Sequence, residues 1–184
     1  MIHNIVFRLF DLILSLLGII FLFPLFLILW IAVWFNYRSP FFKQIRVGIN
    51  QKPFQLIKFR TMPLNTKSIS THLIKNVRLN TFSIFLRETG LDEITQLWNI
   101  LIGEMSIIGP RPCLLSQTKL IKERKKRGLF KVRPGLTGLA QVEGINMSKP
   151  TLLAKTELKM MRQLNLFYYF YYIFLTILLI YKKK

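Results

Sequence analysis

The sequence is poor in cysteine, in histidine and above all in acids. A single cysteine, Cys113, cannot close an internal disulfide, so a disulfide-stapled secreted scaffold is excluded. The two histidines, His3 and His72, stand far apart, and no cluster has zinc-ligand spacing. There is no glycine-rich dinucleotide fingerprint and no P-loop run to argue from. Nucleic-acid-binding motifs are missing too, and nucleic acid is not among the expected partners. Only 8 acids face 27 lysines and arginines, a net charge of +19 over 184 residues. That length suits one domain with or without a membrane segment. The chain is 52% hydrophobic and carries 16 phenylalanines, which excludes a disordered protein.

Basicity joined to apolarity points to polyanions, either nucleic acid or an anionic membrane surface with phosphate-bearing substrates. The placement of the apolar residues favours the membrane. Leu12 to Tyr37 is a run of 26 residues without a charge. As a helix it reaches about 39 Å, enough to cross a hydrocarbon core of about 30 Å. It is too long for a cleaved signal peptide, and no small-residue cleavage site follows. Hydropathy alone reads it as a transmembrane anchor. Pro24 argues otherwise, because it removes a backbone donor near the middle of the run. Basic residues flank both ends: Arg8 before, then Arg38, Lys43, Arg46 and Lys52 after. Such flanks hold both ends on the cytoplasmic side, as in a helix that enters, bends and returns.

Beyond Arg38 the composition is that of a soluble domain. Lys43 to Val47 and Phe54 to Phe59 alternate around Gly48, Asn50 and Pro53, which predicts a β-hairpin. Asn65 to Asn80 is polar and acid-free, an expected surface stretch. A helix is expected after Gly90, with Leu91, Ile94, Leu97, Trp98 and Leu101 at helical spacing. Gly109-Pro110-Arg111-Pro112 ends it. A basic helix from Lys119 to Arg127 follows, expected to face anionic lipid or solvent, then a Pro/Gly-rich loop from Arg133 to Gly138. Leu166 to Tyr181 is apolar and aromatic and precedes three lysines. It is short for a span, which favours an interfacial helix over a second crossing.

With so few acids, the adjacent pair Asp92 and Glu93 stands out. Its place in the first turn of the expected helix suits anionic side chains. The same pair also suits phosphoryl transfer, with a carboxylate that attacks phosphorus or holds Mg²⁺ among cations that neutralise phosphate oxygens. Arg87 lies one turn upstream, and Lys58, Arg60, Arg111 and Arg133 sit in short, constrained segments. Arg111, between two prolines, presents a guanidinium fork from a stiff loop. Cys113 with His72 as a thiol dyad has no local support.

Four separate motifs carry a family resemblance. They are Lys58-Phe59-Arg60-Thr61-Met62; Leu91-Asp92-Glu93 with Gln96-Leu97-Trp98-Asn99; Gly103-Glu104-Met105-Ser106 running into Gly109-Pro110-Arg111-Pro112; and Val132-Arg133-Pro134-Gly135-Leu136-Thr137-Gly138, after Tyr37-Arg38-Ser39-Pro40. In this order they resemble the bacterial sugar transferases, the monotopic polyprenyl-phosphate glycosyl-1-phosphate transferases, over residues 1 to about 150. The chain resembles the minimal catalytic form, expected to lack the extra membrane helices of larger relatives.

The resemblance implies a two-step reaction at the cytoplasmic face of the bacterial inner membrane. Asp92 matches the nucleophile, which takes a sugar phosphate from a nucleotide sugar, by family habit a UDP-sugar. Glu93 matches its partner, beside a Mg²⁺ ion for which Asp92 is the expected protein ligand. Polyprenyl (undecaprenyl) phosphate then accepts the sugar phosphate. Lys58, Arg60, Arg87, Arg111 and Arg133 are the expected phosphate-site cations. Membrane phospholipids and downstream glycosyltransferases are the further expected partners. The implied fold is α+β and mainly α: a membrane-inserted re-entrant helix over 1–37, a cytoplasmic catalytic domain over 38–165 with a small β-hairpin, and an amphipathic interfacial helix with basic tail over 166–184. Departures from the family pattern are Phe23 before Pro24 where Ser is common, Glu104 where Asp is usual, and Met160 and Tyr169 in a divergent tail; Glu157 matches an acidic position. The competing reading is a non-catalytic, membrane-anchored basic module that binds anionic lipid or a partner glycosyltransferase. The intact Asp92-Glu93 pair argues against it.

Overall fold

The computed structural model describes residues 5–64, 66 and 79–182. His3, His72 and most of the expected surface stretch from Asn65 to Asn80 fall outside the described residues. The architecture is mainly helical with two small sheets, as the composition and periodicity imply.

Helix α1 (Ile5–Tyr37) runs through Pro24 without leaving helical assignment. It is long and apolar enough to cross a membrane by length and composition. Most of its side chains are exposed, among them Ile5, Ile20, Phe21, Ile28 and Phe35. Yet both ends are tied to the rest of the chain. Near the start, Arg8 donates from Nη1 to Ile100 O at 2.7 Å and from Nη2 to Leu101 O at 2.9 Å. Asp11, fully buried, accepts from Ile107 N at 2.9 Å and from Tyr169 Oη at 2.8 Å. Near the other end, Leu29 and Val33 pack with Phe59 and Leu86, and Tyr37 Oη shares a hydrogen with Ser83 Oγ at 2.5 Å.

Strands β1 (Phe41–Val47) and β2 (Pro53–Phe59) form the expected antiparallel hairpin, with Phe41 opposite Phe59. The turn places Asn50 and Gln51 at φ 52° and 60°, a region that Asn tolerates better than most residues. Helix α2 (Thr81–Thr89) starts where Asn80 Oδ1 accepts from Ser83 N, and stops at Gly90, whose φ of 70° suits glycine.

The single helix expected after Gly90 is divided. Leu91–Glu93 is one tight 3-10 turn, and helix α3 spans only Gln96–Leu101. The break follows from side-chain bonds to the hairpin. Thr95 Oγ1 donates to Ile57 O at 2.7 Å, and Asn99 Nδ2 donates to Gln55 O at 2.9 Å. These bonds satisfy the backbone of β2 on an edge that no strand covers among the described residues.

Strands β3 (Ser106–Ile108) and β4 (Gly135–Thr137) pair in parallel, an element that the periodicity did not predict. Here two backbones nearly touch: a Cβ on Gly109 would lie 2.6 Å from the Arg133 carbonyl, and one on Gly135 would collide with Gly109. Only glycine fits both positions. Helices α4 (Thr118–Lys126), α5 (Leu139–Val142), α6 (Pro150–Gln163) and α7 (Leu166–Lys182) complete the chain. The main core gathers Ile100, Met105, Ile108, Met160 and Tyr169.

The basic helix needs a correction. Arg124 does not face lipid or solvent: it is buried on α4 and holds the buried Glu157 of α6, with Nε donating to Oε2 at 2.8 Å and Nη2 to Oε1. Lys119, Lys122 and Lys125 keep to the outside as expected.

Removing one member of a buried pair leaves the other charge without compensation. Glu157→Gln is therefore expected to cost about 3–5 kcal/mol of stability, read by denaturant unfolding of the detergent-solubilised protein. A loss under about 1 kcal/mol, typical of an exposed pair, would contradict the buried geometry.

Candidate active site

The 3-10 turn after Gly90 presents Asp92 and Glu93 to the end of β2 and to the loop that follows β3. Lys58, next to last in β2, reaches both acids: Nζ pairs with Glu93 Oε1 and lies 3.9 Å from Asp92 Oδ2. Arg111, on its proline-flanked loop, donates from Nη2 to Glu93 Oε1 at 2.9 Å. Its side chain is 43% exposed, so much of the guanidinium faces outward. Arg87 donates from Nε to Thr61 Oγ1 at 2.8 Å and acts electrostatically on Asp92.

The two acids differ in what they hold. Burial alone would raise the Glu93 carboxyl, but Lys58 and Arg111 outweigh it and hold the group down at about 2. Asp92 moves the other way. Burial raises it above the ordinary carboxylate range, with the neighbouring Glu93 charge in the same sense, against the pull of Lys58, Arg87 and Arg111. Glu93 is thus an anion bonded to two cations through one oxygen, Oε1. Asp92 is a buried residue, and its Oδ2 meets a cation only in the 3.9 Å ion pair with Lys58. Such an oxygen can attack an electrophile or ligate a cation.

Among the described residues no three His, Cys, Asp or Glu side chains gather as a metal cluster. That does not disqualify Mg²⁺, which commonly takes one or two carboxylates and fills the rest of its octahedron with substrate phosphates and water. Asp92 is the carboxylate with oxygens to give.

Of the expected cations, the structure brings Lys58, Arg87 and Arg111 to the acids and leaves two elsewhere. Arg60 is committed to the start of β1, donating to Ser39 O at 3.0 Å, to Ser39 Oγ at 3.3 Å and to Phe41 O at 2.9 Å, and it lies over the Phe42 ring. It touches neither acid. Arg133 sends Nε to Gly103 O at 2.7 Å, on the side of Arg8. The Arg133 loop serves the site through its backbone instead, since Gly135 and Leu136 line the cleft beside Glu93.

That cleft also contains Arg46 and Gln96, which sequence reasoning missed as site residues. Arg46 read as a flanking cation. Its position two residues from the buried Gln44 on one face of β1 was the available signal. Arg46 donates from Nη1 to Pro112 O at 3.0 Å and from Nη2 to Gln44 Oε1. Burial, and the like charge of Arg111, lower its guanidinium to about 10. A larger open groove on α7, lined by Leu166, Phe167, Phe170, Tyr171 and Phe174, contains no charged group.

The family model of the bacterial sugar transferases matches residues 2–183. The chain is 44% identical over 109 residues to an uncharacterized sugar transferase, EpsL, of Bacillus subtilis (strain 168), covering 59% of this chain and 54% of that protein. It is 37% identical over 155 residues to a UDP-glucose:undecaprenyl-phosphate glucose-1-phosphate transferase of Klebsiella pneumoniae, covering 81% of this chain and 33% of the relative. An undecaprenyl-phosphate galactose phosphotransferase of Salmonella typhimurium is 32% identical over 156 residues, with 76% and 33% covered. The chain thus spans about half of the first relative's length and about a third of the other two.

The Glu93 ion pairs have a stability consequence with a defined sign. A carboxyl held at about 2 when folded, against 4.5 ordinarily, stabilises the fold fully above its unfolded value. That contribution fades as the pH falls from 4.5 towards 2. Melting of wild type and Glu93→Gln across this window should show the gap between them closing with acid. A gap that stays constant would show that Glu93 is not held by Lys58 and Arg111 in solution.

Proposed function

The chain belongs to the bacterial sugar transferases, and from that premise we propose that it moves a sugar-1-phosphate from a UDP-sugar to undecaprenyl phosphate through a phosphosugar ester on Asp92. Relatives named for glucose and galactose transfer to undecaprenyl phosphate support the substrate class. One observation carries the mechanism: of two adjacent acids, Glu93 is bonded to Lys58 and Arg111, while the buried Asp92 meets Lys58 only at 3.9 Å.

In the first step an Asp92 oxygen attacks the phosphorus that bears the sugar. The bond from that phosphorus to the oxygen bridging the two phosphates breaks, and uridine monophosphate leaves with the bond's electrons. In the second step an oxygen of undecaprenyl phosphate attacks the same phosphorus. The aspartyl ester breaks, the Asp92 carboxylate is restored, and the product is a lipid-linked diphosphate sugar. Lys58, Arg87 and the outward part of Arg111 offset the negative charge gathered around phosphorus, the dominant need in phosphoryl transfer. Glu93 stays ionised throughout and holds Lys58 and Arg111 in position. A Mg²⁺ bound by Asp92 together with substrate phosphate oxygens and water would screen the repulsion between phosphate and carboxylate.

The acceptor is a lipid, and α1 supplies a membrane surface for it. Arg8 and Asp11 near one end and Tyr37 at the other all bond to residues of one folded body. A helix crossing the bilayer would put the hydrocarbon core, about 30 Å thick, between one end and that body. We therefore assign both ends to the cytoplasmic face of the inner membrane, with the exposed side of α1 in lipid. The product would begin assembly of a surface glycan such as capsule, O-antigen, exopolysaccharide or glycoprotein. The loosely paired Asp92, set among Lys58, Arg87 and Arg111, speaks against a non-catalytic basic module.

Asp92→Asn should fold, release no uridine monophosphate and form no adduct when incubated with UDP-glucose and UDP-galactose, whereas wild type should yield a phosphosugar-modified peptide containing Asp92. Excess chelator should halt wild-type release and added Mg²⁺ restore it. An adduct on another residue, or an active Asn variant, would sink the mechanism.

Topology is tested separately. With Cys113 replaced, single cysteines at Ile5 and Phe35, both exposed on α1, should resist an impermeant thiol reagent added to intact cells and react after permeabilisation. Labelling of either site from outside would show that the helix crosses.

A further inference from the structure

Among the described residues three buried side-chain polar atoms have no hydrogen-bond partner in the protein: Arg46 Nε, Gln96 Nε2 and Gln141 Oε1. The first two line the same cleft beside Glu93, and both are donors. Gln96 is only 2% exposed, at the start of α3. Folding rarely leaves buried donors unmade, and exceptions call for an explanation. Two of them facing one cleft call for an acceptor.

The cleft wall tells which kind. It carries Arg46, Lys58 and Arg111 against the single acid Glu93, so its charge is positive even after the ion pairs are formed. A neutral acceptor, such as water or a sugar hydroxyl, would answer the two donors but leave that charge unbalanced. Its volume is about 20 Å³, about the space of one water-sized group and too little for a whole phosphate. An anionic oxygen fits the size and the charge of the cleft together. It would also answer the like charges of Arg46 and Arg111, which act on each other across this cleft.

We propose that Arg46 Nε and Gln96 Nε2 form a seat for one non-bridging phosphate oxygen of a substrate, with the phosphorus at the mouth of the cleft beside Lys58 and Arg111. This inference rests on the phosphoryl-transfer reading above and extends it to two residues outside the acid pair. The oxygen could come from the diphosphate of the nucleotide sugar or from the lipid phosphate, and the two sources are separable by kinetics. Gln96 and Arg46 would then bind substrate directly, and Glu93 would hold the opposite wall.

The test uses the full chain in lipid nanodiscs, with Gln96→Leu and Arg46→Lys. Gln96→Leu removes a donor that has no partner to lose, so melting without ligand should stay level or rise. The stabilisation of melting by UDP or by inorganic phosphate should shrink in both variants. The KM for UDP-sugar should rise by about tenfold or more if the seat holds the nucleotide diphosphate, as for loss of one hydrogen bond to a charged group. A comparable rise in the KM for undecaprenyl phosphate alone assigns the seat to the lipid phosphate. Unchanged ligand-dependent melting together with unchanged KM for both substrates, in whichever variant folds, overturns the seat. If wild type releases no nucleotide from any sugar nucleotide yet phosphate still stabilises it in a Gln96-dependent way, the transferase reading fails and the seat stands. If wild type turns over and both variants match it, the reverse holds.

Discussion

A carboxylate buried in an apolar helix organises this molecule. Asp11 lies in the first third of α1, where a charge is costly unless it is hydrogen-bonded. It is answered from two directions, by the Ile107 amide of β3 and by the Tyr169 hydroxyl of α7. Three elements distant in sequence are thereby fixed at one point. The Phe7 ring stacks on Tyr169 at 5.6 Å, and Phe10 lies beside it, so the polar bond is enclosed by aromatic surface. Arg8, one turn earlier, bonds the Ile100 and Leu101 carbonyls at the carboxyl end of α3. The membrane helix is therefore an integral wall of the fold and not a tether to it.

From this anchor the constraint passes to the chemistry. β3, held by Asp11 at Ile107, pairs with β4, and the Gly109–Gly135 contact just beyond the pairing sets how closely the two loops meet. One loop carries Arg111, and the other supplies Gly135 and Leu136 to the cleft. Beneath them the Arg124–Glu157 pair fills the space between α4 and α6, and the Arg111 backbone acts on the same Glu157 carboxylate. Arg111 is thus oriented from below by a buried ion pair and in front by Glu93. A guanidinium held on both sides loses little entropy when an anion binds to it.

What could be read from the sequence follows the range of the interaction concerned. The hairpin was legible because alternation and turn residues are local, and α1 and α7 because apolar runs are. Asp92 and Glu93 stood out through scarcity, and Lys58, Arg87 and Arg111 through their motifs. The failures all involve partners far away in the chain. The helix after Gly90 is divided by Thr95 and Asn99 reaching across to β2, which no periodicity announces. Arg124 looked like a surface cation because Glu157 lies 33 residues away. Arg60 and Arg133 matched the motifs as well as Arg111 did, yet their guanidinium groups bond backbone carbonyls of Ser39 and Gly103. A motif preserves the residue type and is silent on whether the side chain meets substrate or braces the loop.

The tail shows the same logic at the membrane face. Its length left open whether α7 crosses or lies in the interface. The contacts along it run against one body. Tyr169 bonds Asp11 near the start, Thr176 Oγ1 shares a hydrogen with Thr137 Oγ1 of β4 at 2.6 Å in the middle, and Ile180 approaches Gly90 near the end. A helix crossing the bilayer would leave the body after its first turn or two, and could not touch both β4 and the glycine that precedes the Asp92 turn. The face turned away, with Phe167, Phe170 and Phe174, is exposed and aromatic, which suits the boundary between headgroups and acyl chains. α7 therefore runs along the same body that α1 grips at both ends. Its last turns pass close to Gly90, two residues before Asp92, so the acid pair sits beside an apolar helix at the edge of the fold.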